Sequence, residues 1–266
     1  MTRVNACIAM AGAAAALLLA ACSQTEGEAK ADGESAAAAS GGAVAFETRP
    51  DIREGVQALP RVTGDTPAIA AINADLDRID ADTAGCDGPG TFTRSATLPM
   101  TGPGFFTVML SDEFYCEGTA RPSIGFTAIT YDLSTGQRVD WSTAASGLRA
   151  TRSSAEGMPA SYEPTLTSEN LAEWYAREML ASTNAEWLAQ CRDRFTEEML
   201  ADDGFKVWLD ARTGGLAVSA DFPHVVMACA ETATMTEEEM RRFGVTPAVI
   251  EAVTTARTAG NFAPKG

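Results

Sequence analysis

Histidine is almost absent: His224 is the only one in 266 residues. A catalytic zinc site built on two histidines and an aspartate cannot be assembled from this chain. A Ser-His-Asp triad would have to use His224, and no Gly-x-Ser-x-Gly elbow exists to meet it. Cys-x-x-Cys pairs are missing too, so neither a zinc ribbon nor a thioredoxin-like redox motif is expected, and no metal or other cofactor is expected. Basic charge is scarce, with 20 Lys and Arg against 36 Asp and Glu and a net charge of −16. Nucleic acid and anionic lipid surfaces both require a basic face and are excluded as electrostatic partners, whereas a basic protein fits. Beyond the first 21 residues no apolar run approaches the roughly 20 residues of a membrane-spanning helix. No phosphate-cradling loop is present either: Gly102-Pro103-Gly104 precedes a strand pattern and reads as a turn.

What is present begins with an address. Arg3 opens a short positive region, Ala6 to Ala21 is almost wholly apolar, and the run closes Leu19-Ala20-Ala21-Cys22. A brief apolar core ending in small residues fits a secretory signal over residues 1–21. The tetrad resembles the lipobox of bacterial lipoproteins. That resemblance implies lipid attachment to the Cys22 thiol, cleavage before it and acylation of the new amine, anchoring the chain to a membrane. Ser23 replaces the Asp associated with inner-membrane retention, so the expected location faces the periplasm, on the outer membrane rather than the inner one. Residues 22–45, rich in Ala, Gly, Ser and Glu, read as a tether. A flexible chain of that length spans on the order of 25–30 Å.

Residues 46–256 read as one domain, with 257–266 a loose tail. Thr66-Pro67 starts a helix whose apolar stripe is Ile69, Ile72, Leu76 and Ile79. Strand patterns follow at 91–98 and 105–110, and the latter is a continuous apolar run. The next strand carries Ile124, Phe126 and Ala128 on one face and Ile129, Tyr131 and Leu133 on the other, which predicts a central or bulged strand. Ser134 to Gln137 turns the chain, and Val139 to Trp141 is expected to return as a strand. After a polar loop at 144–164, Thr167 or Ser168 caps a helix with Leu171, Trp174, Tyr175 and Met179 inward, and a second helix carries Trp187, Leu188, Cys191 and Phe195. Alternation predicts a hairpin from Phe205 to Phe222 about Arg212 to Gly215, and 225–230 is expected to be a buried strand. Thr236 to Glu239 is a capping box. The expected class is α+β, an antiparallel sheet built of hairpins with helices packed on one face.

Of the six cysteines, Cys7 leaves with the signal and Cys22 takes lipid. In an exported chain the remaining four, Cys86, Cys116, Cys191 and Cys229, are expected to form disulfides. Three pairings are possible, and proximity favours Cys86–Cys116 and Cys191–Cys229. Each would be worth about 3–4 kcal/mol in the chain-entropy model. Trp208 shares its strand face with Lys206 and Asp210, opposite the apolar set, and is the aromatic expected to be exposed for binding.

Tyr115-Cys116-Glu117-Gly118-Thr119-Ala120-Arg121-Pro122, followed by Thr130-Tyr131-Asp132-Leu133-Ser134-Thr135-Gly136-Gln137, resembles the RsiV/PdaC-type domain of unknown function. That family shows a Gly-Gly-Ala-His-Pro corner and a Tyr-Asp-Leu-x-Thr-Gly hairpin. Here Thr119 stands for the second glycine and Arg121 for the histidine. The match extends over about Phe46 to Val253, with its specific part in some 25 residues. The resemblance implies an extracytoplasmic binding module, which in the anti-sigma-factor branch senses lysozyme. The expected function is a non-catalytic binding module for a cell-wall-related protein, such as a basic lysozyme-type hydrolase, or for a wall fragment. Glu117, Gly118, Thr119, Arg121 and Trp208 are the candidate contacts. The alternatives are a peptidoglycan-acting enzyme using a carboxylate pair and a purely structural envelope protein.

Overall fold

A computed structural model describes residues 42–83, 89–119 and 122–263. The signal segment, Cys22, most of the tether, Cys86 and Arg121 lie outside the described residues. Among the described residues no helix is long and apolar enough to cross a membrane.

The chain forms an α+β fold with two main antiparallel sheets. Strands β1 (Phe46–Glu47) and β2 (Arg61–Val62) form a small ribbon before helix α1 (Pro67–Ala81). Helix α1 starts where the sequence predicts: the Thr66 hydroxyl accepts from the Ile69 N–H, and Pro67 occupies a position whose N–H is not needed. Its buried stripe is Ile72, Leu76 and Ile79.

The first main sheet has the order β3-β4-β5, from β3 (Gly90–Thr101), β4 (Phe105–Cys116) and β5 (Ser123–Asp132). One face packs Phe106, Val108, Leu110, Ile129 and Tyr131 against the α1 stripe. The other face meets the second sheet through Met109, Phe126 and Ala128. This double coverage explains why the apolar pattern changes face along β5. The expected central or bulged strand is corrected on both counts: β4 is central, and the register shift lies in β3 between Thr97 and Met100. Pro99 sits in that interval and has no N–H for the ladder.

The turn after β5 is sharp, but the expected return strand is not there. Asp140 accepts from the Ser142 N–H and caps a short helix α2 (Trp141–Ala144). The loop at 144–164 begins with a 3-10 turn, Ser146–Leu148, that buries Leu148, and then carries a short strand, β6 (Thr151–Arg152). β6 joins β7 (Leu166–Thr167), β8 (Phe205–Asp210), β9 (Gly215–Ala220) and β10 (Ala233–Met235) in a second sheet of order β10-β9-β8-β7-β6. Helices α3 (Glu169–Leu180), α4 (Ala185–Cys191), α5 (Glu197–Asp203), α6 (Glu237–Arg242) and α7 (Pro247–Ala259) complete the chain.

Phe205, Val207, Leu209, Leu216 and Val218 share one core with Leu171, Trp174, Tyr175 and Val253 of the helices. Each sheet therefore carries helices on its outer face and meets the other sheet on its inner face. Ser168 caps α3, and Thr236 with Glu239 forms the predicted capping box on α6. Cys191 and Cys229 are joined by a disulfide that ties α4 to the segment after β9.

Two further expectations are corrected. Residues 224–229 form a 3-10 turn, not a buried strand, and Val225 is 75% exposed. A short apolar run does not by itself tell strand from helix. The tail expected to be loose from residue 257 is ordered over residues 257–263: α7 runs to Ala259, the buried Asn261 donates to the Gly102 carbonyl at 3.2 Å, and its own carbonyl accepts from Thr101.

Candidate functional site

The candidate site is the outer end of the β3–β4–β5 ladder. Along β4, burial holds from Phe105 to Leu110 and gives way to exposure from Ser111 onward. The strands thus extend past the core as an arm. Its hydrogen bonds continue in unbroken register, with Phe92 opposite Phe114, Thr91 opposite Tyr115, and Ile124 opposite Glu113. Residues paired across an antiparallel ladder share a face, and successive residues alternate. Phe92 and Phe114 therefore lie on one face, and Tyr115 and Ile124 on the other.

These side chains are unusually open for their type. Phe114 is 39% exposed, Tyr115 43% and Ile124 59%. The Arg53 guanidinium sits over the Phe92 ring at 5.5 Å, so this ring is partly covered by a cation. Glu113 and Glu117 flank the apolar set and are both exposed. At the root of the arm, burial pushes the Asp112 carboxyl up in pKa, and the charge of Arg94, its cross-strand partner, partly offsets this.

The turn leaving β4 gathers Glu117, Gly118 and Thr119, all exposed, beside the aromatic pair. The Glu117 N–H donates to the Pro89 carbonyl at 2.9 Å, and the Thr119 hydroxyl donates to the Cys116 carbonyl at 2.7 Å. Gly118 has φ of +89°, a conformation that disfavours a side chain. Cys116 is itself disulfide-bonded. Three of the candidate contact residues are thus placed at the tip of the arm, beside apolar side chains exposed on both of its faces. The fourth, Arg121, lies outside the described residues. The sequence did not single out Phe114 and Ile124; the available signal was that β4 and β5 are too long for the core they cover.

Trp208 corrects an expectation. It is 1% exposed, sealed between the two sheets with Phe126 edge-on at 5.6 Å. Alternation along β8 identified a second, less apolar face, and that face is covered by the other sheet. His224 is exposed at the start of its 3-10 turn.

A second polar constellation fastens the long loop. Tyr131 Oη and Arg138 Nε both donate to Asp75 Oδ2 at 2.8 Å. Arg138 also donates to the carbonyls of Ala160 and Tyr162 and, at 3.3 Å, to Glu163. Burial pushes the Glu163 carboxyl up to about 7, against the nearby charges of Arg138 and Arg152. Burial also raises Asp75, but the hydrogen bond and charge of Arg138 outweigh it and hold this carboxyl below its usual range. Two acids pushed in opposite directions are the pattern of an acid–base pair. Here, however, both acids bind the same guanidinium, and the cavity of about 650 Å³ under the loop is bordered by Arg78, Asp82, Arg138 and Tyr162 rather than by the two acids. This geometry ties α1, the turn after β5 and the loop together. Among the described residues no group of three His, Cys, Asp or Glu side chains is placed to hold a metal ion.

No family model matches the chain, and no curated protein sequence matches it. Among solved structures it is similar to a DUF3298 family protein from Pseudomonas aeruginosa PAO1, with 12% identity and a TM-score of 0.35, over 66% of this chain and 68% of that one.

Proposed function

We propose that this chain is an exported lipoprotein, anchored through Cys22 and facing the periplasm from the outer membrane, that works as a non-catalytic binding module for a basic, cell-wall-related protein of the lysozyme type. The contact surface is the tip of the arm taken from both faces, Tyr115 and Ile124 on one and Phe114 on the other, with Glu113, Glu117, Gly118 and Thr119 around them. The observation that carries this reading is the exposure of three large apolar side chains on the two faces of one ladder end, flanked by acids.

Exposed aromatics with a charged rim are the anatomy of a protein-binding patch. A ladder that is already formed loses little freedom on binding, which favours affinity. The net charge of −16 would steer a cationic partner toward the domain. The resemblance to RsiV-type domains suggests the same class of partner, since one branch of that family senses lysozyme.

The test is retention of the detergent-solubilised full chain on immobilised basic lysozyme. Wild type should be retained, and Phe114→Ser combined with Ile124→Ser should weaken binding by about 10-fold or more, as for central interface residues. Both side chains are exposed, so the variant should melt near the wild-type temperature. Equal retention of a folded variant would overturn the proposed surface.

A further inference from the structure

The two sheets do not close on each other everywhere. Between them lies a cleft of about 570 Å³, within the ordinary range for a small-molecule site. Thr97 and Ser111 line it from the first sheet, and Trp208, Asp210, Thr232 and Thr234 from the second sheet and its approach.

The chemistry of this cleft is distinctive. Among the described residues its only charged groups are Asp210 and Arg212, and they neutralise each other: Arg212 donates from Nε to Oδ1 at 2.9 Å and from Nη2 to Oδ2 at 2.6 Å. Trp208 is buried, and its Nε1 has no hydrogen-bond partner among the described residues. The hydroxyls of Thr97, Ser111, Thr232 and Thr234 also make no hydrogen bond to the protein among the described residues. The indole N–H is itself occluded, so the walls present four hydroxyls, each able to donate and accept, beside a neutral ion pair.

We infer that this cleft is a binding site for a neutral, polyhydroxylated ligand, a short oligosaccharide. A sugar hydroxyl both donates and accepts, so it matches walls made of the same groups. An anion attracted by Arg212 would meet Asp210. An apolar ligand would strip water from four hydroxyls and return no hydrogen bonds. This site is separate from the arm end and does not depend on it.

The experiment titrates maltotriose and chitotriose, as neutral probes, and trigalacturonate, as an anionic probe, into the detergent-solubilised full chain. Heat and tryptophan fluorescence are followed together. At least one neutral trisaccharide should bind at millimolar concentration or below, more tightly than trigalacturonate. Thr232→Val and Thr234→Val, which keep the shape and remove one hydroxyl each, should each weaken binding about 5- to 10-fold, the effect of one lost hydrogen bond. Phe114→Ser with Ile124→Ser should leave sugar binding unchanged, so that failure here and failure of the arm surface are read separately. No binding of either neutral sugar, tighter binding of trigalacturonate, or wild-type binding by both folded cleft variants would overturn the inference.

Discussion

Arg138 and Glu163 face each other at 3.3 Å, the guanidinium donating from Nη1 to Oε2, and yet the carboxyl is pushed up to about 7 because burial outweighs the attraction. A carboxyl whose folded pKa lies above its unfolded value favours the folded state most when protonated. Its contribution is fully present below the ordinary glutamate range and is lost as pH rises through about 7. Wild type should therefore lose melting temperature between pH 5 and pH 8, and Glu163→Gln should flatten that slope. Melting curves at half-unit intervals check this, and identical slopes for the two proteins would reject the assignment.

Gly136 lies in the Asp132 to Gln137 turn with φ of +73°, and a side chain there would approach the Ala68 carbonyl oxygen to 2.5 Å. The glycine of the Tyr-Asp-Leu-x-Thr-Gly pattern thus has a physical reason: the turn docks on the first turn of α1, backbone against backbone. Gly136→Ala should destabilise by about 1–3 kcal/mol, from the strained backbone and the close approach. Chemical denaturation measures it. Gly118→Ala separates the two causes: it shares the positive φ, at +89°, but a side chain there would meet nothing within 4 Å, so it should cost less than Gly136→Ala.

The motifs that were legible in the sequence are local ones. Thr66-Pro67, Ser168 and the Thr236–Glu239 box start helices because a capping hydroxyl needs only the next three residues. The 205–220 hairpin follows from alternation about a glycine-bearing turn. What stayed hidden depends on contacts far along the chain. Alternation showed that Trp208 faces away from the helices, but not that Phe126, on a strand 82 positions earlier, closes over it. Arg138 meets Asp75 across 63 positions, and no periodicity encodes that pairing. The arm end was anticipated through its corner residues Glu117 to Thr119. Its apolar centre was missed, because exposure along β4 is decided by where the opposing layers stop.

The Cys191–Cys229 bond closes a separation of 38 residues. Replacing both cysteines with alanine should cost about 2–5 kcal/mol, read as a lower denaturation midpoint. A non-reducing peptide map of the exported protein should also link Cys116, which is disulfide-bonded, to Cys86. A peptide joining Cys116 to any other cysteine would reject that pairing.

Lipid attachment is tested by Cys22→Ser. Wild type should incorporate labelled fatty acid and partition with membranes, and the variant should not be labelled. Fatty-acid labelling of the Cys22→Ser protein would reject the lipobox assignment.

The central claim is that acids around an apolar arm end bind a basic wall-related protein. The most direct measurement is calorimetric titration of the detergent-solubilised full chain with a basic lysozyme across a salt series. The screening length falls from about 30 Å at 0.01 M to about 8 Å at 0.15 M salt, so affinity should fall steadily over that range. It should not vanish, because Phe114, Tyr115 and Ile124 bind through apolar contact. No binding at the lowest salt, or an affinity that ignores salt altogether, would contradict the account.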